Sequence, residues 1–388
     1  MPIVNRFADF QADTVAWRRD IHCHPELLYE VHRTAASVAE KLRAFGLDEV
    51  VTGIGRTGVV GVIRGRKSGS GKVVGLRADM DALPLQETTG KPYASTIDGK
   101  MHACGHDGHT AMLLGAARYL AETRNFDGTA VVIFQPAEEG GGGGKAMVEE
   151  GLMDRWNIQE VYGMHNMPGL ALGEFATRPG ALLASTDEFT IIVTGNGGHA
   201  AKPHLAIDPI IVGVGIIQAL QTIVSRSVDP VEAAVVSVTR FHAGQARNII
   251  AGTAEIGGTV RTLRAEERDL AERRLREIAT GIAAAHGASL DIDYDRNYPV
   301  TRNHPAQAAF AASVAREVVG YSRVDDAAPP ILGGEDFSYM LEARPGAFIF
   351  VGNGDTAGLH NAAYDFNDDV IPIGCSYWAR LVETAMPS

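Results

Sequence analysis

Hydrophobic positions in the first part of the chain follow two rhythms. Residues 7–20, 34–45 and 109–123 space their apolar side chains at helical intervals. In the last of these, Met112, Leu113, Ala116 and Leu120 fall on one face. Between them lie short, nearly continuous apolar runs at 58–64, 72–77, 129–134 and 160–164, rich in Val and Ile. Such runs predict strands buried on both faces. Strands alternating with helices predict an α/β domain whose central sheet is parallel or mixed and flanked by helices.

From residue 188 the rhythm changes. A strand at 188–194, a helix at 208–227, strands at 233–241 and 253–262, a helix at 266–286 and a strand at 289–294 follow in turn. That βαββαβ order predicts a ferredoxin-like α+β sandwich. The α/β rhythm then resumes, with a helix at 306–319, a strand at 347–351 and a helix at 371–383. The chain therefore reads as one α/β domain in two parts, 1–183 and 298–388, with the α+β block 184–297 inserted into it.

Composition narrows the function classes. A chain of 388 residues is long enough for two domains. Its formal net charge of −12, with no basic stripe to offset it, argues against a nucleic-acid partner. The opening residues, Met1 to Phe7, contain no apolar core of signal-peptide length. The most apolar stretch, 209–217, is too short to cross a bilayer before Gln218. These features predict a cytoplasmic protein with no membrane partner. Three scattered cysteines do not make a disulfide framework. Cys104 differs from Cys23 and Cys375 because His106 stands two residues away.

Candidate chemistry gathers after the predicted strands. Asp79 and Asp81 follow the run ending near Arg77, Glu138 and Glu139 the run ending near Phe134, and His165 the run ending near Met164. Open α/β sheets bind ligands beyond the carboxyl ends of their strands, so three runs deliver polar groups to one rim. Cys104 and His106 sit in a turn before the helix at 109–123, where Gly105 frees the backbone enough for both to face one ion. With His360 they form a set of sulfur, imidazole and carboxylate donors suited to zinc, manganese or cobalt. Glu138 beside Glu139 suggests one glutamate on the metal and one free to move protons, which is the pattern of metal-assisted hydrolysis.

Other segments admit plainer readings. The glycines at 140–144 followed by Lys145 are no phosphate loop: Glu139 stands where that motif needs glycine, and Ala146 where it needs Ser or Thr. Asp79 and Asp81 serve equally as turn-capping residues or as groups orienting the site. His199, in Gly195-Asn-Gly-Gly-His199, is either a surface histidine or one freed by glycines to approach a ligand. Asn248, in Gln245-Ala-Arg-Asn248, offers a donor and an acceptor to an amide or carboxylate. The Gly333-Gly-Glu-Asp-Phe337 segment reads as an ordinary loop as readily as a functional one.

Taken together, His22-Cys-His-Pro-Glu26, Arg77-Ala-Asp-Met-Asp-Ala-Leu-Pro84, the Cys104/His106 turn, Gln135-Pro-Ala-Glu-Glu139, Gly163-Met-His165, Gly197-Gly-His-Ala200, Arg247-Asn248, Gly334-Glu-Asp-Phe337 and Leu359-His360 carry a resemblance. The chain resembles the metal-dependent amidohydrolases that include hippurate hydrolase and the plant auxin–amino-acid conjugate hydrolases, within the wider carboxypeptidase G and aminoacylase group. The resemblance implies hydrolysis of an N-acyl amino acid to a carboxylic acid and a free amino acid. It implies two divalent ions (manganese, zinc, cobalt or nickel) on Cys104, His106, Glu139, His165 and His360, with Glu138 as general base. It implies that the inserted domain builds a homodimer, that His199 stabilises the oxyanion in the neighbouring subunit's site, and that Asn248 helps to hold the substrate. In the wider group a His-x-Asp segment supplies a ligand and an orienting Asp. Here Asp79 stands in the His place, Cys104 supplies the missing ligand and Asp81 keeps the orienting role. Deacetylation of an N-acetylated substrate such as a diaminopimelate, and dipeptide cleavage, are the rival reactions. A binding protein that has lost catalysis predicts a missing ligand or base, and none is missing.

Overall fold

The computed structural model describes residues 5–388; Met1 to Val4, the first residues of the stretch read for a leader, lie outside them. The chain divides into two units. The first comprises the residues up to Leu182 together with Arg302–Pro329 and Asp336–Ser388, and the second comprises Leu183–Thr301 and Pro330–Glu335.

The first unit is built on an eight-stranded mixed sheet. Its four middle strands, Thr129–Gln135, Val73–Asp79, Glu160–Pro168 and Gly346–Gly354, lie side by side and run parallel. Every residue of Val73–Asp79 is buried, which is why that run carries no polar alternation. The edge strand Glu49–Ile54 escapes the sequence reading because its residues are mostly half-buried or exposed. It pairs antiparallel with Gly58–Arg64.

Helix His106–Thr123 packs on Val73–Asp79, and helix Pro305–Val319 packs on Gly346–Gly354. The first of these is not the one-faced helix the pattern predicted. It is buried on all sides from His106 to Ala117. Small residues make room for its neighbours: a side chain at Gly115 would meet Cys375 Sγ at 2.6 Å, and one at Gly108 would meet the Phe366 ring at 2.2 Å. Each large apolar side chain fully buried in this core, such as Leu113, Phe134 or Ile349, contributes about 1.5–3 kcal/mol.

The second unit has a four-stranded antiparallel sheet in the order Ala234–Ala243, Thr253–Thr262, Ser185–Thr194, Ser289–Arg296. The first strand in the chain thus lies between the third and the fourth, the ferredoxin-like arrangement. Along Ser185–Thr194 burial alternates, with Phe189, Ile191 and Val193 turned into the core. Helices Pro209–Thr222 and Ala265–His286 pack together against that core. Residues 330–335, expected with the closing part of the α/β domain, cluster here instead. The Ala184 N–H donates to the Gly333 carbonyl at 2.9 Å, and Leu183 bridges Ile331.

The apolar run at 209–217 is longer as a helix than as a run of letters. Pro209–Thr222 continues through a wider turn at Ile223–Ser227, so by length and composition the 19-residue element could cross a membrane. Val212, Ile216, Leu220 and Ile223 face the core of the second unit. Ile211 and Val214 stay exposed, at 60% and 42%.

Candidate metal centre

The strand Thr129–Gln135 ends in a forced turn. Ala137 adopts φ +54°, a left-handed conformation that costs a non-glycine residue about 1–2 kcal/mol. Several hydrogen bonds offset the cost. The backbone N–H groups of Glu138 and Glu139 donate to the two oxygens of Asp81 at 3.0 and 3.1 Å. The Gly143 N–H donates to the Ala137 carbonyl at 3.0 Å. The glycine run serves close approach here, because a side chain at Gly143 would lie 1.7 Å from the Pro136 carbonyl oxygen. Helix Gly143–Glu149 begins directly against the turn that presents Glu138 and Glu139.

Across from this turn, Gly105 stands at φ +90° before helix His106–Thr123. Any side chain there would meet Asn166 Nδ2 at 2.3 Å and Tyr364 Oη at 2.5 Å. Glycine is thus required both by conformation and by space. The His360 loop is tied to the same place through its backbone N–H, which donates to the Ala103 carbonyl at 2.8 Å.

These elements bring the five donor residues into overlapping groups. Cys104, His106 and His165 form one, Cys104, Glu139 and His360 a second, and His106, Glu138 and Glu139 a third. Within each, the donor atoms lie within 4.8 Å of one another. Cys104 Sγ is 3.3 Å from His165 Nε2, and His360 Nε2 is 3.3 Å from Glu139 Oε1. His165 Nδ1 donates to the Asn166 carbonyl at 2.6 Å, which leaves the Nε2 lone pair facing Cys104.

The donor set fits divalent cations. Among the described residues, both ring nitrogens of His106 and Oε1 of Glu139 are buried without a hydrogen-bond partner in good geometry. A buried polar atom left unpaired costs about 1–3 kcal/mol, and a cation that takes these lone pairs removes the cost. The electrostatics point the same way. Burial opposes a charge on His106, yet Asp79, Asp81 and Glu139 raise it to about 10. Burial pushes the Cys104 thiol well above its ordinary value, and Glu139, Glu138 and Asp79 push it further. Burial favours the neutral form of Glu139, but His360 and His106 outweigh it and hold the carboxyl below its usual range. The site attracts positive charge and, without a metal, would hold protons instead.

Asp81 lies at the heart of this geometry, buried, with its Oδ1 also 3.5 Å from His106 Nδ1. Of the five donors Asp79 groups only with His106, in a separate set completed by His109. It hydrogen-bonds His109 and Arg77, at 2.6 and 2.7 Å. Asp336, from the segment read as an ordinary loop, accepts from Arg77, Gln135 and the Gly144 N–H at 2.7–2.9 Å, and so pins the glycine turn. His199 and Asn248 belong to the second unit. There the short strand Gly198–His199 pairs with Ile249–Ile250, and the Ala200 N–H donates to the Asn248 carbonyl at 3.1 Å.

Sequence reasoning missed a buried ionic network behind His106. Arg18 Nε lies 2.9 Å from Asp107 Oδ2, and His22 Nδ1 lies 2.8 Å from the same oxygen. His22 Nε2 reaches Glu87 at 3.4 Å. Nothing in the helical pattern marks Arg18 as buried. The His22-to-Glu26 segment was singled out without a role. His102, two residues before Cys104, is buried but belongs to none of these donor groups, and burial holds its imidazole down to about 3.

Known proteins agree with this architecture. Residues 75–384 match the description of peptidase family M20/M25/M40. Hippurate hydrolase of Campylobacter jejuni is 45% identical over 98% of both chains. N-acetylcysteine deacetylase of Bacillus subtilis is 39% identical over 96% of both. The Bacillus subtilis YXEP protein, a dinuclear metal binding peptidase, superposes with a TM-score of 0.85 at 35% identity, covering 98% of this chain and 99% of that one. The chain belongs to peptidase family M20/M25/M40 and is a metal-dependent amidohydrolase.

Proposed function

We propose that the protein hydrolyses the amide bond of N-acyl amino acids with an aromatic acyl group, hippurate-like substrates above all. The observation that carries this reading is the cluster of sulfur, imidazole and carboxylate donors beside Glu138, in which both ring nitrogens of His106 and Oε1 of Glu139 are buried without a hydrogen-bond partner in good geometry. It is supported by 45% identity to a hippurate hydrolase over nearly the whole chain. Cys104, His106, Glu139, His165 and His360 hold two divalent ions, of manganese, zinc, cobalt or nickel. Bound there, the ions supply Lewis acidity to the scissile carbonyl and to the attacking water.

The chain's own groups do the rest. Glu138 takes a proton from the water as it adds to the acyl carbon, and delivers it to the amide nitrogen as the C–N bond breaks. A carboxylic acid and a free amino acid leave. Asp81 holds Glu138 and Glu139 in place through their backbone N–H groups. His199, supplied by a second copy of the chain, donates to the developing oxyanion. Its ring is set for that task, because Nδ1 accepts the Ala201 N–H at 3.0 Å and the ring hydrogen is therefore on Nε2. Asn248, next to it, contacts the substrate. The exposed Ile211 and Val214 on Pro209–Thr222 supply the apolar surface for a homodimer.

The test is hydrolysis of benzoyl-glycine against acetyl amino acids, after chelation and re-addition of manganese, zinc or cobalt. Metal-dependent cleavage favouring benzoyl-glycine is expected. Cleavage of acetyl substrates alone would move the protein to the deacetylases, the second reading, which the N-acetylcysteine deacetylase relative favours. Glu138→Gln should keep fold and metal but lose nearly all turnover. Near-normal turnover in that variant would remove Glu138 from the reaction.

A further inference from the structure

Asp79 and His109 have no part in the reaction as proposed, yet both are buried beside it. Asp79 closes the strand Val73–Asp79. Its Oδ2 takes Arg77 Nη1 at 2.7 Å, and its Oδ1 lies 2.6 Å from His109 Nδ1. The far nitrogen of that ring, His109 Nε2, receives the Asn166 backbone N–H at 2.9 Å and faces Asn166 Nδ2 at 3.0 Å. With N–H groups aimed at it, Nε2 carries no hydrogen. The ring hydrogen sits on Nδ1, with Asp79 as its acceptor.

Asn166 is where this chain of contacts branches. Its Nδ2 donates to the Cys104 carbonyl at 2.6 Å. Its own carbonyl accepts His165 Nδ1 at 2.6 Å. Its Oδ1 accepts the Tyr364 hydroxyl at 2.7 Å. The His109 ring also lies edge-on to the His165 ring, centroids 4.5 Å apart. Every polar group of Asn166 is thus committed: to His109 on one side, to the backbone of Cys104 and the ring of His165 on the other, and through Oδ1 to Tyr364.

We propose that Asp79 and His109 are positioning residues for the metal centre. The Asp79 carboxylate fixes the Nδ1–H form of His109, His109 anchors Asn166, and Asn166 sets the Cys104 backbone and the His165 ring. The inference rests on the reading of Cys104 and His165 as ligands. It assigns Asp79 no ligand role, although Asp79, His106 and His109 have donor atoms within 4.8 Å of one another. A cation held by all three would have to break a hydrogen bond of His109, whose Nδ1–H is held by Asp79 and whose Nε2 accepts the Asn166 N–H.

The experiment uses full-length metal-free protein titrated with zinc by calorimetry. It adds the absorption spectrum of the cobalt-loaded protein, whose thiolate-to-cobalt charge-transfer band reports on Cys104. Asp79→Asn, His109→Gln and the double variant are compared with the parent. Each single change is expected to weaken zinc binding about 10–100-fold and to shift the cobalt band, with both ions still bound at saturation. The double variant is expected to lose no more than the worse single one, because both changes cut the same relay. Parental affinity and band in both single variants would overturn the proposal, as would losses that multiply in the double variant. Loss of one zinc per chain in Asp79→Asn would overturn it too, by making Asp79 a ligand. Should Asp79→Asn fail to fold because Arg77 loses one of its two buried carboxylates, His109→Gln carries the same test with both Arg77 ion pairs intact. Cys104→Ser separates the two failures. If it leaves the cobalt band in place, the ligand reading falls. If it abolishes the band while Asp79→Asn and His109→Gln leave the band unmoved, the relay alone falls.

Discussion

Replacing Asp81 with asparagine tests how Glu138 and Glu139 are held. The carboxylate accepts two buried backbone N–H groups, at 3.0 and 3.1 Å, one from each glutamate. Asparagine has one oxygen, so one of the two bonds is kept and an NH2 group is turned toward the other N–H. A hydrogen bond to a charged acceptor is worth about 1.5–3 kcal/mol, and the stranded N–H adds part of its own desolvation cost. The expected loss for Asp81→Asn is therefore about 2–4 kcal/mol, a Tm decrease of roughly 5–10 °C by calorimetry. The effect on turnover should be larger than stability alone would give. A shift of about 1 Å in a reacting group can cost about 100-fold, so kcat is expected to fall at least about 100-fold while KM changes little. Metal content, measured on the same samples, should stay near that of the parent, because Asp81 contributes no donor to the groups that join the five proposed ligands. Parental kcat in a folded Asp81→Asn protein would refute the reasoning. So would a loss confined to KM.

Three further outcomes are expected. Gly143→Ala puts a carbon 1.7 Å from the Pro136 carbonyl oxygen and must push the Glu138 turn aside, so activity should fall more than tenfold; Gly140→Ala, strained at φ +90° but with open space around it, should cost only about 1–2 kcal/mol of stability, and equal kinetic effects in the two variants would sink the argument. Zinc affinity should rise with pH by about tenfold per unit for each proton released, because Cys104 and His106 hold protons that the metal must displace; competition titrations at pH 6, 7 and 8 showing no slope would contradict this. Burial opposes the charge on His22, but Asp107 and Glu87 raise it to about 9, so its contribution of about 3 kcal/mol is complete below about pH 6.5 and is lost as pH rises through 9. His22→Gln should accordingly lose stability most at pH 6 and flatten the decline of denaturant stability between pH 6 and pH 9.

Much of the architecture was legible because burial writes itself into the letters. Strands covered on both faces carry unbroken Val and Ile, and the βαββαβ order of the second unit follows from its alternation. The edge strand Glu49–Ile54 was not legible, since partial exposure leaves it with neither signal. The helix at 208–227 was legible at its full length, but only its run up to Gln218 was weighed as a membrane span; on a helix packed against a sheet, Gln218 needs only to face outward. At the site, candidate donors could be placed on one rim because each follows a strand. The parts that hold them were hidden. Asn166 acts through both backbone groups and both side-chain atoms, and no residue pattern announces that. Ala137 takes a left-handed conformation that alanine letters never suggest.

Asp79 and Asp81 show why spacing alone could not assign roles. Two residues apart on an extended chain, they should share a face, and the sequence reading treated them as candidates for one task. Both side chains are fully buried, so burial pushes both carboxyls up. They part because of what surrounds them. Asp79 is still inside the strand, where Arg77, His109 and His106 hold it well below the usual range. Asp81 lies beyond the strand end, out of reach of Arg77, with Glu139 close by, and its carboxyl is held above the usual range despite His106. Lacking a guanidinium, Asp81 depends on the two N–H dipoles of the glutamate turn, and the turn depends on Asp81 in return. That mutual dependence ties the position of the proposed base to a residue that never needs to touch the substrate. It also explains how two carboxylates so close in sequence serve opposite walls of the site, one bracing the glutamates and the other, through His109 and Asn166, the cysteine and histidine.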